Sequence, residues 1–256
     1  MNNPATIRFA CIIPARYASS RFPGKPLAIL GGKTMIRRVV EQASAATPVV
    51  YVATDDNRIA DEVSSFDGRF VMTSVSHRSG TDRCAEAASL IENETGSAIE
   101  IIINIQGDEP FVRREQIELL MSCFDEPEVE IATLIRRVGR EEEVFNPNQP
   151  KVVIDINGYA LYFSRSVIPF VRGVETDEWT GAHDYFKHQG IYAFRRNTLD
   201  RITRLPQSSL EIAEALEQNR WIENGFRIKT AITEYESIGI DTPDDLERAN
   251  RLISKK

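Results

Sequence analysis

The sequence predicts an α/β protein with an open, mostly parallel sheet, helices on both faces of the sheet and a smaller β region in the second half. Two patterns predict this class. Apolar runs of strand length alternate with helical periodicity through the first half, and an Asn-Gly hairpin pattern appears after residue 150. Strands that helices cover on both faces are apolar almost throughout. At 256 residues, 42% hydrophobic and 27% charged, the chain is predicted to be globular, not disordered or membrane-spanning.

The first half repeats a strand and helix unit. Strands are predicted at residues 8–13, 49–53, 70–73, 101–105 and 131–135. Helices are predicted at residues 34–46, 58–66, 82–94 and 115–124. Because open parallel sheets bind ligands at the carboxyl ends of their strands, a site is expected in the loops that follow these strands.

The second half begins with an antiparallel pattern. Residues 151–156 and 159–163 are expected to pair as a hairpin, with Asn157-Gly158 in a two-residue type I′ turn. Further strands are expected at 190–194 and 228–233. An amphipathic helix is expected at 209–224, ended by Gly225, and Thr242 is expected to cap a last helix.

The domain prediction is a single domain over 1–256, with an embedded β region at about 151–194. No internal repeat or low-complexity linker divides the sequence. Tyr159, Leu161 and Phe163 alternate along the hairpin as an apolar stripe that needs a cover. A second copy of the chain would supply it, which predicts a homodimer, although an intramolecular helix is the alternative.

Charge distribution narrows the classes of ligand. Residues 1–40 carry seven Lys and Arg and no Asp or Glu, whereas the remaining 216 residues carry 24 cations against 38 anions. The net negative charge of the remaining residues disfavours binding to nucleic acid. The local positive charge of residues 1–40 favours binding of a small anionic ligand. Cys11, Cys84 and Cys123 are expected to be buried thiols, since their spacing supports neither a disulfide framework nor a zinc site. The first residues resemble no signal peptide, and a cytoplasmic location is expected.

Three loops carry candidate chemistry. Residues 14–26 combine three cations, hydroxyls, Gly24 and prolines, a composition that suits a triphosphate or, alternatively, only a solvated basic loop. Asp108 follows the most apolar strand and is a candidate Mg²⁺ ligand ahead of Glu109, although both acids are also typical of a helix start. Residues 79–83 open a helix and are a candidate nucleotide contact or a plain helix cap.

Several common motifs are absent or incomplete. Gly32-Lys33-Thr34 lacks the first glycine of a phosphate-binding loop, so a turn followed by a Thr34 helix cap is expected instead. No dinucleotide-binding, serine-hydrolase or zinc-protease motif is present. The histidines share no metal spacing, and each is expected to be structural.

Taken together, the ordered segments resemble one family. They are IIPARYASSRFPGKPL (12–27), YVATDD (51–56), SGTDR (79–83), NIQGDEP (104–110), FNPN, KVV and GYALYFSR within 145–165, HQGIYAF (188–194), LEQ (216–218) and GIDTPDDLERA (239–249). These segments are similar to 3-deoxy-manno-octulosonate cytidylyltransferases, the CMP-Kdo synthetases of lipopolysaccharide biosynthesis. The resemblance implies a nucleotide-diphospho-sugar-transferase-like fold and the transfer of CMP from CTP to 3-deoxy-manno-octulosonate (Kdo), with release of pyrophosphate.

The resemblance also implies roles for individual residues. Arg16, Lys25, Asp108 and Asp241 are implied to be catalytic, with Asp108 and Asp241 as the ligands of Mg²⁺. The implied nucleotide contacts are Ala15, Arg16, Arg21, Lys25, Ser79, Gly80, Thr81, Arg83 and Gln106. The implied sugar contacts are Arg165, His188, Tyr192 and Glu211. The implied partners are CTP and Kdo, with no nucleic acid, no membrane and a homodimer.

Two alternatives stay open from the residues alone. Sialic acid and an amino analogue of Kdo share the 2-keto acid group, so the phosphate-side residues do not separate these substrates. The other alternative is a non-catalytic nucleotide-sugar binding protein on the same fold. The presence of both Asp108 and Asp241 argues against a pure binder, which has little need of two metal carboxylates.

Overall fold

The structure, a computed structural model, describes residues 5–18, 22–139, 141–236 and 239–253, without the side chains of residues 141 and 142. The strands are β1 (Thr6–Ala15), β2 (Ile29–Leu30), β3 (Lys33–Thr34), β4 (Val50–Thr54), β5 (Phe70–Met72), β6 (Ala98–Asn104), β7 (Ile131–Arg137), β8 (Lys151–Ile154), β9 (Ala160–Ser164), β10 (Phe186–Arg195) and β11 (Ile228–Ile232). The α-helices are α1 (Met35–Ala46), α2 (Asn57–Ser65), α3 (Gly80–Thr95), α4 (Arg114–Ser122), α5 (Glu141–Phe145), α6 (Trp179–Ala182), α7 (Arg196–Ile202), α8 (Ser209–Glu214), α9 (Glu217–Glu223) and α10 (Pro243–Ile253).

The chain divides into two compact units. The first comprises Met1–Glu118, Ala193–Thr203 and Ser237–Lys256, and the second comprises Leu119–Tyr192 and Arg204–Glu236. Helix α4 and strand β10 each run from one unit into the other. Residues 151–192 of the predicted embedded β region lie in the second unit, while the prediction of a single domain stays a prediction.

A parallel sheet forms the centre of the first unit, with strand order β5-β4-β1-β6. Ile13 of β1 lies opposite Val52 of β4, and Cys11 lies opposite Ile103 of β6. All four side chains are buried, as expected for strands with helices on both faces. The parallel pairing brings the carboxyl ends of these strands to one edge of the sheet, as the sequence predicts.

Polar side chains cap the N-termini of several helices of the first unit. Thr34 Oγ1 accepts a hydrogen bond from the Arg37 backbone N–H, which confirms the helix-cap interpretation of this residue. Ser79 Oγ accepts from the Asp82 backbone N–H at 3.1 Å and caps α3. Thr242 and Asp245 cap α10 reciprocally: Asp245 N donates to the Thr242 hydroxyl, and Thr242 N donates to the Asp245 carboxylate.

The second unit is a mixed β region with short helices. Strands β7 and β11 pair in parallel, and β8 pairs antiparallel with both β9 and β10. A hydrophobic cluster of Val138, Val144, Trp179 and Tyr185 is buried in this unit. The predicted antiparallel hairpin is thus present, as are the predicted strands near 190–194 and 228–233.

The hairpin turn differs from the predicted two-residue type I′ turn. Gly158 N donates to Asp155 O, and Asp155 N donates to Tyr159 O, so the loop has three residues. Gly158 has φ 75°, but Asn157 does not have the positive φ that a type I′ turn requires. The Asp155 carboxylate accepts the Asn157 and Tyr159 backbone N–H groups, which stabilises the longer turn.

The predicted helix over 209–224 is two helices, α8 and α9. Ala215 separates them with φ 50°, in the left-handed region. Arg165 Nε donates to the Glu214 carbonyl at 2.6 Å, and a second guanidinium nitrogen donates to the Ala215 carbonyl at 3.3 Å. A tertiary contact therefore takes the carbonyl groups that a continuous helix would use, which the periodicity of the segment does not reveal.

The apolar stripe expected on the hairpin is not present as a stripe. Tyr159 and Phe163 are buried, and of the three residues Leu161 alone is exposed, at 57%. The register shifts between Val153 and Ile154, so the simple alternation of faces is lost. The homodimer prediction therefore has less support from this hairpin than the sequence suggests.

The burial of the three cysteines agrees with the sequence expectation. Cys11, Cys84 and Cys123 are buried and form no disulfide bond. Burial raises the pKa of the Cys123 thiol to about 11, so this residue stays protonated near neutral pH. Among the described residues, no helix combines the length and the apolar character needed to cross a membrane.

Candidate active site

A cleft in the first unit lies where its parallel strands end. Ala15 ends β1, and residues 106–108 follow the end of β6 closely. The lining residues are Pro14, Ala15, Arg16, Lys25, Pro26, His77, Ser79, Gly80, Arg83, Gln106, Gly107, Asp108 and Asp241. The structure thus brings both predicted metal ligands and most of the predicted nucleotide contacts to one place, although they are spread over more than 200 positions of the chain.

Lys25 is at the centre of the charged part of the cleft. Its Nζ lies 2.5 Å from Asp108 Oδ2 and 3.1 Å from Asp241 Oδ1. The Lys25 side chain is only 13% exposed, while those of Asp108 and Asp241 are 30% and 47% exposed. One ammonium group therefore neutralises part of the charge of two carboxylates that are 133 positions apart.

The local backbone directs Lys25 into the cleft. Lys25–Leu27 forms a single 3-10 turn, and Gly24 precedes it with φ 72°. Gly24 N donates to Tyr17 O at 2.9 Å, and a Cβ on Gly24 would lie 3.1 Å from the Tyr17 ring. Only glycine combines this left-handed backbone with the close ring. The segment from Gly24 to Leu27 is therefore a specific turn, where the sequence predicts only a stiff loop.

Backbone contacts hold the two carboxylates near each other. Ile240 N donates to Asp108 O at 3.0 Å, which ties the segment before α10 to the loop after β6. Ile240 is fully buried with Leu30 and Met35. Asp241 N donates to Asp245 Oδ2 at 3.2 Å as part of the cap of α10. Asp241 is thus both near the start of a helix and in the cleft.

The chemistry of these donors fits a divalent cation. Two carboxylates directed at one cationic nitrogen are a partial oxygen ligand set, and Mg²⁺ takes one or two carboxylates together with phosphate oxygens and water. The described residues contain no group of three or more His, Cys, Asp or Glu side chains that would hold a metal by themselves. Asp108 and Asp241 therefore match a cation that is shared with a bound phosphate.

Arg83, a predicted nucleotide contact, is held by two partners. Its side chain is 4% exposed, and one guanidinium nitrogen lies 2.7 Å from Asp55 Oδ2. Another donates to Thr73 Oγ1 at 2.5 Å. Asp55 and Thr73 follow β4 and β5, so Arg83 links the ends of two strands to α3. Sequence reasoning assigned Asp55 no role, although an acidic residue just after a strand end indicates this partner.

The other predicted nucleotide residues occupy different environments. Arg16 is exposed beside the cleft, and Thr81 is buried at the start of α3. Gln106 Nε2 donates to Asn104 Oδ1 at 3.2 Å, and a Cβ on Gly80 would lie 3.3 Å from Gln106 Oε1. Arg21 lies outside the described residues.

His77 lines the cleft, although the sequence alone suggests a structural role for it. Its Nε2 is hydrogen-bonded to Glu86 Oε2, and the same oxygen accepts the Ser74 backbone N–H at 2.8 Å. Burial alone would raise the pKa of Glu86, but the hydrogen bonds from His77 and Ser74 outweigh it and lower the pKa below its ordinary value. Its position two residues before Ser79 is the signal that would have found it.

The predicted sugar-binding residues belong to the second unit. His188 and Tyr192 have ring centroids 5.1 Å apart, and His188 Nε2 lies 3.0 Å from Thr133 Oγ1. Burial lowers the pKa of His188 to about 3, so the ring is neutral near pH 7. Burial, and then the charge of Glu217, raise the pKa of the Tyr192 hydroxyl well above its ordinary value.

Arg165 and Glu211 have structural partners in the same unit. The Arg165 guanidinium donates to the carbonyl groups of Pro147, Glu214 and Ala215. The Glu211 carboxylate accepts the Ser208 backbone N–H at 3.3 Å and lies 3.5 Å from Arg220 Nε. Nothing in these contacts tests a sugar-binding role for either residue.

Comparisons with known proteins agree on one activity class. Residues 10–232 match the family model described as cytidylyltransferase. The chain is 53% identical to a 3-deoxy-manno-octulosonate cytidylyltransferase of Phocaeicola vulgatus, over 98% of this chain and 99% of that protein. It is 55% identical to a protein of the same name from Porphyromonas gingivalis, over 93% of each. A solved structure of CMP:2-keto-3-deoxy-manno-octonic acid synthetase complexed with CTP is 40% identical, with a TM-score of 0.87 over 97% of this chain and 99% of that chain.

Proposed function

This chain belongs to the 3-deoxy-manno-octulosonate cytidylyltransferase family, and we propose that it transfers CMP from CTP to the anomeric hydroxyl of Kdo with release of pyrophosphate. The product, CMP-Kdo, is an activated sugar for lipopolysaccharide biosynthesis. One observation of the structure carries the proposal: Lys25, Asp108 and Asp241 meet in a cleft at the carboxyl ends of parallel strands.

In this proposal, cations on the protein receive the triphosphate. Lys25 and Arg16 line the cleft, and both bring positive charge to the phosphate groups, while Arg21 is a further candidate in the same loop. Asp108 and Asp241 would hold Mg²⁺ together with phosphate oxygens. When bound, Mg²⁺ would offset negative charge on the phosphates and make the sugar hydroxyl more acidic.

The reaction is a single displacement at the α-phosphorus of CTP. The anomeric oxygen of Kdo forms a bond to that phosphorus, the bond to the oxygen that bridges to the β-phosphate breaks, and the hydroxyl proton passes to solvent. Pyrophosphate leaves with the electron pair of the broken bond. The residues of the chain contribute by positioning two anionic substrates and by neutralising charge, so no dedicated side-chain base is required.

The remaining assignments are part of the same proposal. Ala15, Ser79, Gly80, Thr81, Arg83 and Gln106 are proposed to contact the nucleotide. Arg165, His188, Tyr192 and Glu211 are proposed to bind the sugar. The neutral His188 ring and the protonated Tyr192 hydroxyl support a hydrogen-bonding role over a charged one.

A pyrophosphate-release assay tests the function. The purified chain is incubated with each of the four nucleoside triphosphates, Mg²⁺, and either Kdo or sialic acid. We expect rapid release of pyrophosphate with CTP and Kdo, and with no other combination of nucleotide and sugar. Equal turnover of sialic acid would overturn the substrate assignment, and binding of CTP without release of pyrophosphate for any sugar would favour the non-catalytic alternative.

We also propose a homodimer in the cytoplasm, as the family resemblance implies. Exposed apolar side chains in the second unit, Leu161 and Phe170, support a surface that another copy covers. Light scattering at micromolar concentration is expected to give twice the 28.9 kDa chain mass. A monomer under these conditions would contradict the proposal.

A further inference from the structure

His77 lines the cleft but takes no part in the proposed phosphate chemistry. Its side chain is 17% exposed, and its Nε2 binds Glu86 Oε2. Ser74 N donates to the same Glu86 oxygen, so the carboxylate is fixed from two sides. Ser74 Oγ in turn accepts the Ser76 backbone N–H at 3.1 Å. The loop between β5 and α3 therefore holds the imidazole in one orientation at the side of the cleft.

The Glu86 contact sets which ring nitrogen carries the hydrogen. An ionised carboxylate only accepts hydrogen bonds, so Nε2 is the donor. The lowered pKa of Glu86, in which hydrogen bonds from His77 and Ser74 outweigh the effect of burial, keeps it ionised near neutral pH. In the neutral ring, Nδ1 is then an acceptor. No residue in the described part of the chain hydrogen-bonds to Nδ1.

We propose that His77 is a specificity-determining residue that reads the nucleotide base through Nδ1, and that Glu86 is the positioning residue that fixes its tautomer. This inference rests on the proposed use of CTP. Cytosine carries an amino group at C4, which donates hydrogen bonds, whereas uracil carries a carbonyl oxygen at that position. An acceptor at Nδ1 pairs with the cytosine amino group and faces the uracil oxygen as a second acceptor.

His77 and Glu86 lie close in the chain to residues that are proposed to contact the nucleotide. Ser79 and Gly80 follow His77 by two and three positions, and both line the same cleft. Glu86 lies on α3, the helix that Ser79 caps. His77 and Glu86 are thus attached to the segment that the sequence marks as a nucleotide contact, and a site built to bind one hydrogen-bonding group rejects an analogue that lacks it.

The test compares CTP and UTP as substrates and as ligands. His77→Phe keeps a planar ring and removes both nitrogens, and Glu86→Ala removes the carboxylate that fixes them. We expect each variant to lower the ratio of kcat/KM for CTP to that for UTP by about tenfold or more, which corresponds to roughly 1.4 kcal/mol. Glu86→Gln retains an acceptor for Nε2–H and is expected to restore most of the ratio.

Glu92→Ala is the matched control on the same helix. The Glu92 carboxylate accepts the Ile99 backbone N–H at 2.9 Å and pairs with Arg196 at 3.1 Å, and it does not line the cleft. This variant is expected to melt at a lower temperature and to keep the wild-type ratio of CTP to UTP. If Glu86 had only a structural role, Glu86→Ala would also melt at a lower temperature and keep the wild-type ratio of CTP to UTP. That result would overturn the inference.

Calorimetric binding of CTP and UTP separates this inference from the proposed function. If the wild-type chain uses CTP but His77→Phe keeps the full preference for CTP over UTP in both turnover and binding, the reading role of His77 is wrong and the proposed function stands. If the wild-type chain binds CTP and UTP equally and turns over neither with Kdo, the proposed function itself fails.

Discussion

At the scale of single residues, the positive charge of Lys25 offsets the repulsion between the carboxylates of Asp108 and Asp241. The ammonium group lies within 3.1 Å of both Asp108 and Asp241. A buried or half-buried carboxylate pair without a cation would repel, so some cation is needed at this position. Lys25 supplies positive charge here, and the proposed triphosphate would draw Lys25 toward its own negative charge.

Replacing either carboxylate with asparagine tests the proposed metal site. Asp108→Asn and Asp241→Asn keep size and most hydrogen bonding but remove one negative charge. We expect turnover to fall by about 10² or more, on the order of 3 kcal/mol, while the fold survives. If both residues serve one transition state, as proposed, the double variant should be little worse than the poorer single variant.

Steady-state kinetics at saturating Mg²⁺, paired with thermal melts, measure this prediction. If Asp241 acts only as a charge near the start of α10, its loss should change stability by about 0.3 to 1 kcal/mol and leave the rate unchanged. Near-normal turnover of Asp241→Asn with a lowered melting temperature would therefore contradict the two-carboxylate site.

Removing Lys25 should have opposite effects on the metal and on the nucleotide. In Lys25→Met, the competing ammonium group is lost from the carboxylate pair. We expect Mn²⁺, used as a probe in the absence of nucleotide, to bind about tenfold more tightly, which is roughly 1.4 kcal/mol. CTP should bind more weakly, since a phosphate contact is lost.

Titration of Mn²⁺ by electron paramagnetic resonance measures the first effect, and calorimetry with CTP measures the second. Lys33→Met is the matched control, because Lys33 is an exposed lysine paired with Glu41 and does not line the cleft. Unchanged Mn²⁺ affinity in Lys25→Met would show that the ammonium group does not compete for this position.

At the scale of elements, the break between α8 and α9 shows how a tertiary contact overrides a helical pattern. Ala215 has φ 50° and is exposed. The free-energy cost at this residue therefore comes from its backbone conformation and not from packing. Arg165 binds the carbonyl groups on both sides of the break. The left-handed residue costs roughly 1 to 2 kcal/mol, which these hydrogen bonds offset.

Glycine substitutions at two exposed alanines should change the free energy of unfolding in opposite directions. Ala215→Gly relieves the left-handed strain and, after the added entropy of the unfolded chain, should raise the free energy of unfolding by up to about 1 kcal/mol. Ala213→Gly, two residues earlier in the last turn of α8, should lower it by up to about 1 kcal/mol. Urea unfolding measures both, and a loss of stability in Ala215→Gly equal to that in Ala213→Gly would contradict the strain argument.

Other elements follow from their local sequence. The strands of the parallel sheet and the helices α1, α2, α3 and α4 lie within a few residues of their predicted bounds, since apolar runs, periodicity and caps act locally. The hairpin turn was predicted at the right place but with the wrong geometry. Asn-Gly permits type I′, yet the Asp155 carboxylate, which binds two backbone N–H groups, favours the three-residue loop.

At the scale of the whole molecule, the partly buried His188 makes the stability of the folded chain sensitive to acid. Burial lowers the pKa of His188 to about 3 from an unfolded value of about 6.5. Above pH 6.5 both states carry a neutral ring, and this residue adds no pH dependence. Below pH 6.5 the unfolded chain binds a proton that the folded chain does not, so stability falls until the pH reaches about 3.

His188→Asn should therefore flatten the acid side of the stability curve. Between pH 6.5 and 5, the wild-type chain is expected to lose on the order of 1 to 2 kcal/mol more free energy of unfolding than this variant. Urea unfolding at several pH values measures the difference. His183→Asn is the control, since His183 is exposed, and parallel curves for wild-type and His188→Asn would contradict a buried neutral ring at this position.

The candidate site was predictable in its residue types and only partly in its contacts. The family resemblance implies that Asp108 and Asp241 share one site, and both line the cleft. Their common contact with Lys25 was not predictable, because no local pattern relates residues 83 and 216 positions apart. The partners of Arg83 were missed for the same reason, since Asp55 and Thr73 follow different strands.

The sequence by itself determined the alternation of strands and helices, the caps, the basic start of an acidic chain and the family to which the chain belongs. These properties depend on residues that are close in the chain or on the ordered set of motifs. The tertiary structure decided the ion pairs of Lys25, the break at Ala215, the hairpin turn and the link from Glu86 to His77. Each of these depends on a charge or a hydrogen bond from a residue distant in sequence or from a side chain whose orientation the fold sets.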